Sequence, residues 1–518
     1  MKRHLPLLFA IIKFGMGLLL SGYGTYELQR DEYLYLDYGH HLAWGYLEVP
    51  PLTALQSWLT LALGGDYFWV KCWPLLWGSL TVFVVVRLAR RLNGGTWAQV
   101  LTGLCFLATI FGRLNLLFQP NSFEVLTFTL GTYLLVRQAQ PDGGPRHLYA
   151  LGLVLGLGVL NKYTTFFFGA ALGLALLLTP ERRVLRSRHF WLAAGLGLLV
   201  CGPNLLWQIR HGLPFRHHMD LLRQSQLVHV DSLGFWRDQL LMCSPALLVW
   251  MPGLVAALVG RPAPAARTVG WIYVGGLLLL TVLHGKNYYA LGYYPALFAV
   301  GAVWWQQRLS ESTSWGRAGR VALLLVPLLL QVPLLPYTYP MLGPARMARL
   351  GRLPFYQAAG VNRWEDGRAH GLPQDYADML GWRELADKTW RAYQQLPAAT
   401  RAATLIKCDN YGQAGAINYY NRHRPLPIAT SFNGSYLFWF PARPAGGLKQ
   451  LLLVGEGNPA ELAPHFRTFA KVGEITNPDA REAGTTIYLG TEPDQALLNR
   501  AYAEHRAALA AWEGDSAR

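Results

Sequence analysis

The stretch "RDEYLYLDYGHHLAWGYLEVPPL", Arg30 to Leu52, sets Asp31, Glu32, Asp37 and Glu48 among tyrosines, Trp44 and two histidines, directly after the first long apolar run of the chain. A carboxylate at membrane depth costs roughly 2.5–3.5 kcal/mol at a helix centre unless it meets water or a partner, so acids in such a place mark a site. Further polar residues punctuate the ends of later apolar runs. They are Glu124 in "FQPNSFEVLTF", Lys162 and Tyr163 in "LNKYTTFFF", Arg210 and His211 in "GPNLLWQIRHGLPFRHH", and Lys286, Tyr288 and Tyr289 in "HGKNYYALGYYPAL". Carboxylates beside cations suit one reaction type: a base takes a proton from an acceptor hydroxyl or amine while lysine and arginine stabilise a departing phosphate. At an outer membrane face, where nucleotide sugars are scarce, a sugar on a polyprenyl phosphate is the natural donor. Singly, these groups also fit lipid headgroup contact or solvated loop charge.

The elements that must position them follow from hydropathy. Of 518 residues 52% are hydrophobic and 15% charged, with 19 Trp, and the apolar residues fall in long runs, the profile of a polytopic membrane protein. About eleven runs reach spanning length, near 5–24, 67–87, 95–112, 118–137, 147–160, 163–179, 189–209, 240–259, 268–284, 288–306 and 320–336. The first follows Lys2 and Arg3 and reads as a retained signal anchor. A formal charge of +16 invites a nucleic-acid reading, but the basic residues cluster in alternate loops, for example Arg87, Arg90, Arg91, Arg182, Arg183, Arg186 and Arg188. That is the positive-inside pattern, with the N-terminus cytoplasmic, and it excludes nucleic acid. An odd span count then carries the Arg30–Leu52 stretch and everything after Pro344 to the outer face of the cytoplasmic membrane. The acids Glu27, Asp66, Asp220, Asp231 and Asp238 fall on that face too, as do Arg216 and Arg223, basic residues against the rule that an anionic ligand would explain. The five cysteines are scattered and read as small apolar fillers.

The chain thus divides into a transmembrane catalytic part, 1–344, with interfacial helices in its first outer loop (25–66), and an extracytoplasmic soluble domain, 345–518. In the latter, "ATLIKC" reads as a strand entering the turn and helix of "DNYGQAGAINYYN". "LKQLLLVGEG", a helix from Pro459 to Val472, "TTIYLG" and a last helix from Pro493 to Glu513 predict a small α/β domain with a largely parallel sheet. "NYGQAG" lacks full G-x-G-x-x-G spacing and reads as a structural strand-to-helix turn rather than a phosphate loop.

In these residues the chain resembles the GT-C glycosyltransferases, specifically bacterial members of glycosyltransferase family 39, relatives of the protein O-mannosyltransferases and lipid A aminoarabinose transferases. The likeness runs through "DEYLYLDYGHHLAWGYLEVPPLTAL", "PNSFEVLTFTLGTYLLVR", "LNKYTTFFF", "PNLLWQIRHGLPFRHH", "KNYYALGYYPALFAVGA", "LPQDYADMLGWRELA" and "NYGQAGAINYY". It implies inverting transfer from a polyprenyl-phosphate sugar to a protein, lipid or glycan acceptor. The acidic pair of the first outer loop would be catalytic, Asp31 as base and Glu32 orienting the acceptor. Glu48, Glu124, Lys162, Tyr163, Arg210, His211, Lys286, Tyr288 and Tyr289 would bind acceptor or donor. Several relatives place His or Lys before the double proline where this chain has Val49, so no obligatory metal is expected. Two other readings stand beside this one: an O-antigen ligase or polymerase, favoured by the basic loop from His211 to Asp238, and a transporter or flippase of lipid-linked sugars, which internal repeats would favour and this sequence lacks.

Overall fold

Each of the spanning-length apolar runs overlaps helix in the computed structural model, which describes residues 4–225, 232–443, 447–455, 457 and 459–513. Lys2, Arg3 and Asp231 lie outside them. Among the described residues, three helices are long and apolar enough to cross a membrane by themselves, Tyr67–Arg91, Arg188–Arg210 and Ser314–Thr338. The run near 240–259 is broken into Ser232–Met242 and Ser244–Leu258, bent by 65°. Pro245, at the start of the second piece, cannot donate the backbone bond that would continue the first. Leu5–Leu19, Thr96–Leu107, Thr165–Leu178 and Ala266–Val282 are apolar but shorter.

The chain clusters into two compact units: 1–21, 70–206 and 221–341 in the first, and 22–69, 207–220 and 342–518 in the second. The first unit is helical. At its centre lies the Tyr294–Arg308 helix, whose residues from Tyr294 to Val303 are all buried. Helices pack here on small residues: a Cβ at Gly301 would lie 1.9 Å from the Val249 carbonyl oxygen, so only glycine permits the approach. Lys13 is fully buried in this unit and donates from Nζ to the Phe111 carbonyl at 2.8 Å, which gives its buried nitrogen a backbone partner.

The second unit holds a five-stranded sheet. Its strands are β1 (Thr404–Cys408), β2 (Ala429–Ser431), β3 (Gln450–Gly455), β4 (Thr468–Glu474) and β5 (Thr486–Thr491), in the order β2-β1-β3-β5-β4. Pairing is parallel across β2-β1-β3 and antiparallel across β3-β5-β4, so the sheet is mixed rather than largely parallel. The helix expected over 459–472 is short, Pro459–Leu462, and the chain then enters β4. "RTFAKVGE" has no clean alternation because it forms a half-exposed edge; pairing with β5, and the stacking of Phe469 on Tyr488 at 5.0 Å, decide its conformation.

Two helices of this unit come from distant parts of the sequence and pack closely. Arg30–Tyr38 begins with a capping box in which Asp31 N–H donates to Gln29 Oε1 at 2.9 Å and Gln29 N–H donates to Glu32 Oε2 at 2.7 Å. Tyr411–Asn421 has its own capping box, Asn410 with Gln413. "NYGQAG" is therefore a helix start, and its glycines serve packing. A Cβ at Gly412 would lie 2.4 Å from Arg30 Cγ, and one at Gly415 would lie 2.8 Å from the Tyr33 backbone. Because a backbone cannot yield as a flexible side chain can, Gly415→Ala should cost about 1–3 kcal/mol and lower the melting temperature of the purified protein in detergent. An unchanged melting curve would show that the two helices can separate freely.

Candidate active site

The acids of the Arg30–Leu52 stretch lie in the second unit and differ in how far they are committed to the fold. Glu32 is fully buried and closes the start of its own helix. Glu48 accepts from Tyr38 Oη at 2.5 Å, Ser435 Oγ at 2.6 Å and Ser435 N–H at 2.9 Å. Gly434, at φ +64, is what lets Ser435 reach it, since a Cβ there would lie 1.9 Å from Glu48 Oε1. Asp31 keeps 27% of its side chain exposed. Its Oδ1 accepts from Tyr411 Oη at 2.7 Å and lies 3.5 Å from Arg30 Nε, while the Arg30 guanidinium sits 5.2 Å from the Tyr411 ring centre. Burial raises the Tyr411 hydroxyl well above its ordinary range, so it remains a donor to Asp31.

Asp37, on the same helix, is buried, and its Oδ2 accepts from Tyr436 Oη and from Asn418 Nδ2 at 2.7 Å. Burial pushes its carboxyl up to about 7, although both donors favour the ionised form. Burial, with the neighbouring His40, drives His41 down to about 4, so that ring is neutral at physiological pH. His41 stacks on Trp439 at 4.3 Å. Nearby, Glu27 accepts from Arg383 N–H at 2.8 Å at the start of the Trp382–Gln394 helix, where the helix dipole favours a negative charge. Arg210 is exposed at the end of the Arg188–Arg210 helix, and His211 stacks on Trp207 at 4.2 Å, with Nδ1 2.8 Å from the Trp207 carbonyl oxygen.

In the first unit the residues picked from separate apolar runs do gather. Lys162 Nζ donates to Glu124 Oε2 and to Asn121 Oδ1, both at 2.8 Å, and Thr164 donates to Glu124 Oε1. The same ammonium lies 4.4 Å from the Tyr289 ring centre and 5.3 Å from that of Tyr288, over which Lys286 also sits at 5.8 Å. Tyr163 Oη donates to Asn204 Oδ1 at 3.0 Å. Glu124 is buried, so removing Lys162 would strand a charge. Among the described residues no three His, Cys, Asp or Glu side chains gather as a metal site.

Sequence reasoning missed the partners rather than the acids. Tyr411, Asn418, Ser435 and Tyr436 lie some four hundred residues from the carboxylates they bind, and only the tyrosine- and asparagine-rich "NYGQAGAINYY" hinted at them. Asp37 stood out as an outer acid but had no assigned task.

Comparison with known proteins completes the picture. Residues 48–207 match the dolichyl-phosphate-mannose-protein mannosyltransferase family, PMT_2. The lipid A galacturonosyltransferase RgtD of Rhizobium johnstonii is 27% identical over 396 residues, covering 71% of this chain and 80% of RgtD. The crystal structure of ArnT from Cupriavidus metallidurans bound to undecaprenyl phosphate superposes with a TM-score of 0.65 at 16% identity, covering 94% of this chain and 98% of ArnT. Its apo form gives 0.60 at 17% identity, over 93% and 97%. The chain is thus a membrane glycosyltransferase with the GT-C fold. In fold it is similar to ArnT, and over residues 48–207 its sequence is similar to the protein mannosyltransferases.

A proton held near neutrality on Asp37 has a measurable signature. Between about pH 4 and 7 the unfolded carboxyl is ionised while the folded one keeps its proton, so the folded state binds more protons and stability falls as pH rises through that window. Asp37→Asn lacks this term. Relative to the parent it should gain on the order of 3 kcal/mol between pH 4.5 and 7.5, read from paired thermal unfolding curves. Parallel curves would mean that Asp37 is ionised throughout.

Proposed function

We propose that this chain transfers a sugar, with inversion, from a polyprenyl-phosphate donor to an acceptor at the outer face of the cytoplasmic membrane, with Asp31 as general base. The observation that carries the reading is the contrast among the carboxylates: Glu32 is consumed in starting a helix, Asp37 is buried, Glu48 is held by Ser435 and Tyr38, and Asp31 remains partly exposed. The Tyr411 hydroxyl and the Arg30 side chain orient that carboxylate, which can accept a proton. Asp31 takes the proton of the acceptor hydroxyl as its oxygen attacks the anomeric carbon, and the polyprenyl phosphate leaves from the opposite face. Glu32, expected to orient the acceptor, and Glu48, expected to bind acceptor or donor, are here assigned to positioning the helix that carries Asp31, because their hydrogen bonds are taken up within the fold.

Lys162 and Lys286 are the cations assigned to the phosphate of the carrier, with Glu124 and the rings of Tyr288 and Tyr289 fixing Lys162, and Arg210 is assigned to acceptor or donor binding. Tyr163 and His211 complete the ligand-binding set. Undecaprenyl phosphate bound to ArnT supports the carrier class, and the galacturonosyltransferase relative favours a lipid A-type glycolipid as acceptor. We further infer eleven spans, an N-terminus in the cytoplasm, and residues 345–518 outside it, from the alternation of basic loops along the chain.

Asp31→Asn should lower transfer from a polyprenyl-phosphate sugar in membranes by roughly 10²–10⁴-fold without changing the melting temperature. Full activity in that variant removes Asp31 as base. Separately, mass spectrometry of lipid A from a deletion strain should show loss of one sugar residue relative to the parent strain. An unaltered lipid A with a deficit on another envelope glycan would move the acceptor assignment there.

A further inference from the structure

Within the second unit a cavity of about 440 Å³ opens between the Arg30–Tyr38 helix, the end of the Tyr411–Asn421 helix and the segment 426–439. That volume falls in the range of roughly 300–1,000 Å³ usual for small-ligand sites. Its lining mixes an aromatic wall, Trp439 with His41 stacked on it, an apolar wall at Leu426–Ile428, and polar groups left with unused capacity. Asp37 directs both of its donors to Oδ2, and among the described residues none reaches Oδ1. Thr430, only 2% exposed, buries its hydroxyl without a partner, and the Nε of Arg422 is likewise buried and unpaired. A buried hydroxyl without a hydrogen bond costs about 1–3 kcal/mol, which a bound ligand would relieve.

Charge narrows the ligand. Arg422 and Arg424 line the cavity and are anchored by Asp66 at 3.0 Å and Asp387 at 2.8 Å, acids that are not part of the lining. Each guanidinium has five donors in a planar fork and spends only part of them on its anchor, so a carboxylate can be gripped bidentately by what remains. The histidines add no charge, and Asp37 lies deep on the opposite element. The cavity therefore offers cations, a hydroxyl and a carboxyl acceptor, and flat rings on which the C–H face of a pyranose can rest.

We propose that this cavity binds one acidic monosaccharide unit of the acceptor glycan, its carboxylate on Arg422 and Arg424, its hydroxyls on Asp37 and Thr430, and its apolar face on Trp439. The assignment rests on the glycan-transfer reading above but concerns binding at a place separate from the Asp31 carboxylate.

The test uses the full-length protein in lipid nanodiscs, titrated by calorimetry with digalacturonic acid and with the uncharged galactobiose. Digalacturonic acid should bind, and galactobiose should bind at least several-fold more weakly. Arg424→Gln, at a side chain 37% exposed, and Thr430→Val, which preserves shape, should each weaken digalacturonate by about tenfold. Asp31→Asn should bind it like the parent. No binding by the parent, equal binding of the two disaccharides, or unchanged affinity in both cavity variants would overturn the proposal. Because Asp31→Asn is read for transfer and for binding in parallel, an active Asp31→Asn that binds digalacturonate would sink the base and leave the cavity, while an inactive one in a protein that binds no saccharide would do the reverse.

Discussion

Close approach of two helices from opposite ends of the sequence is the constraint on which the second unit depends. Arg30–Tyr38 lies against Tyr411–Asn421 because Gly412 and Gly415 present bare backbone where any side chain would collide with Arg30 and Tyr33. That contact brings the Tyr411 hydroxyl to Asp31 and the Asn418 amide to Asp37. Capping boxes at both helix starts fix where each helix begins, and so which residues face across the seam. A glycine pair thereby does for two helices what a fitted side chain does elsewhere in the core: it sets the distance at which polar groups can meet.

The carboxylates around this seam show how one short stretch divides its labour. Glu32 faces its own helix start, Glu48 is pinned by Ser435 beyond a left-handed Gly434, Asp37 is desolvated until its proton is held to about neutrality, and Asp31 stays partly in water. Four acids within eighteen residues of sequence thus acquire different partners and different reach because their environments differ, which is the general way a fold separates structural acids from reactive ones. The helical unit follows the same logic. Glu124 and Lys162 neutralise each other, with Asn121 and Thr164 filling their remaining valences, so that polar groups persist among apolar helices.

Much of this was legible from residue order. Hydropathy located the long helices of the apolar part, though not the break between Ser232–Met242 and Ser244–Leu258, because a spanning or core helix must be apolar along its length. The association of Glu124 with Lys162 was hinted at by two polar residues at the ends of neighbouring runs, where each alone would be costly. In the second unit the strands β1, β3 and β5 were visible as compact apolar runs. The edge strand β4 was not, since "RTFAKVGE" carries no alternation and takes its shape from the neighbour it pairs with.

By itself the sequence determined the apolar helices, the place of the acids after the first of them, and the kind of chemistry such acids beside lysines and arginines could perform, because composition and spacing are local properties of a chain. Only the tertiary structure decided which acid keeps contact with water and which is spent on capping or packing, that the glycines of "NYGQAG" serve close packing against Arg30 and Tyr33, and that Tyr411, Asn418, Ser435 and Tyr436 are the partners of carboxylates about four hundred residues away. Burial and hydrogen bonding, which set a carboxylate's charge and reach, are supplied by residues remote in sequence, and no local pattern records which remote residues those are.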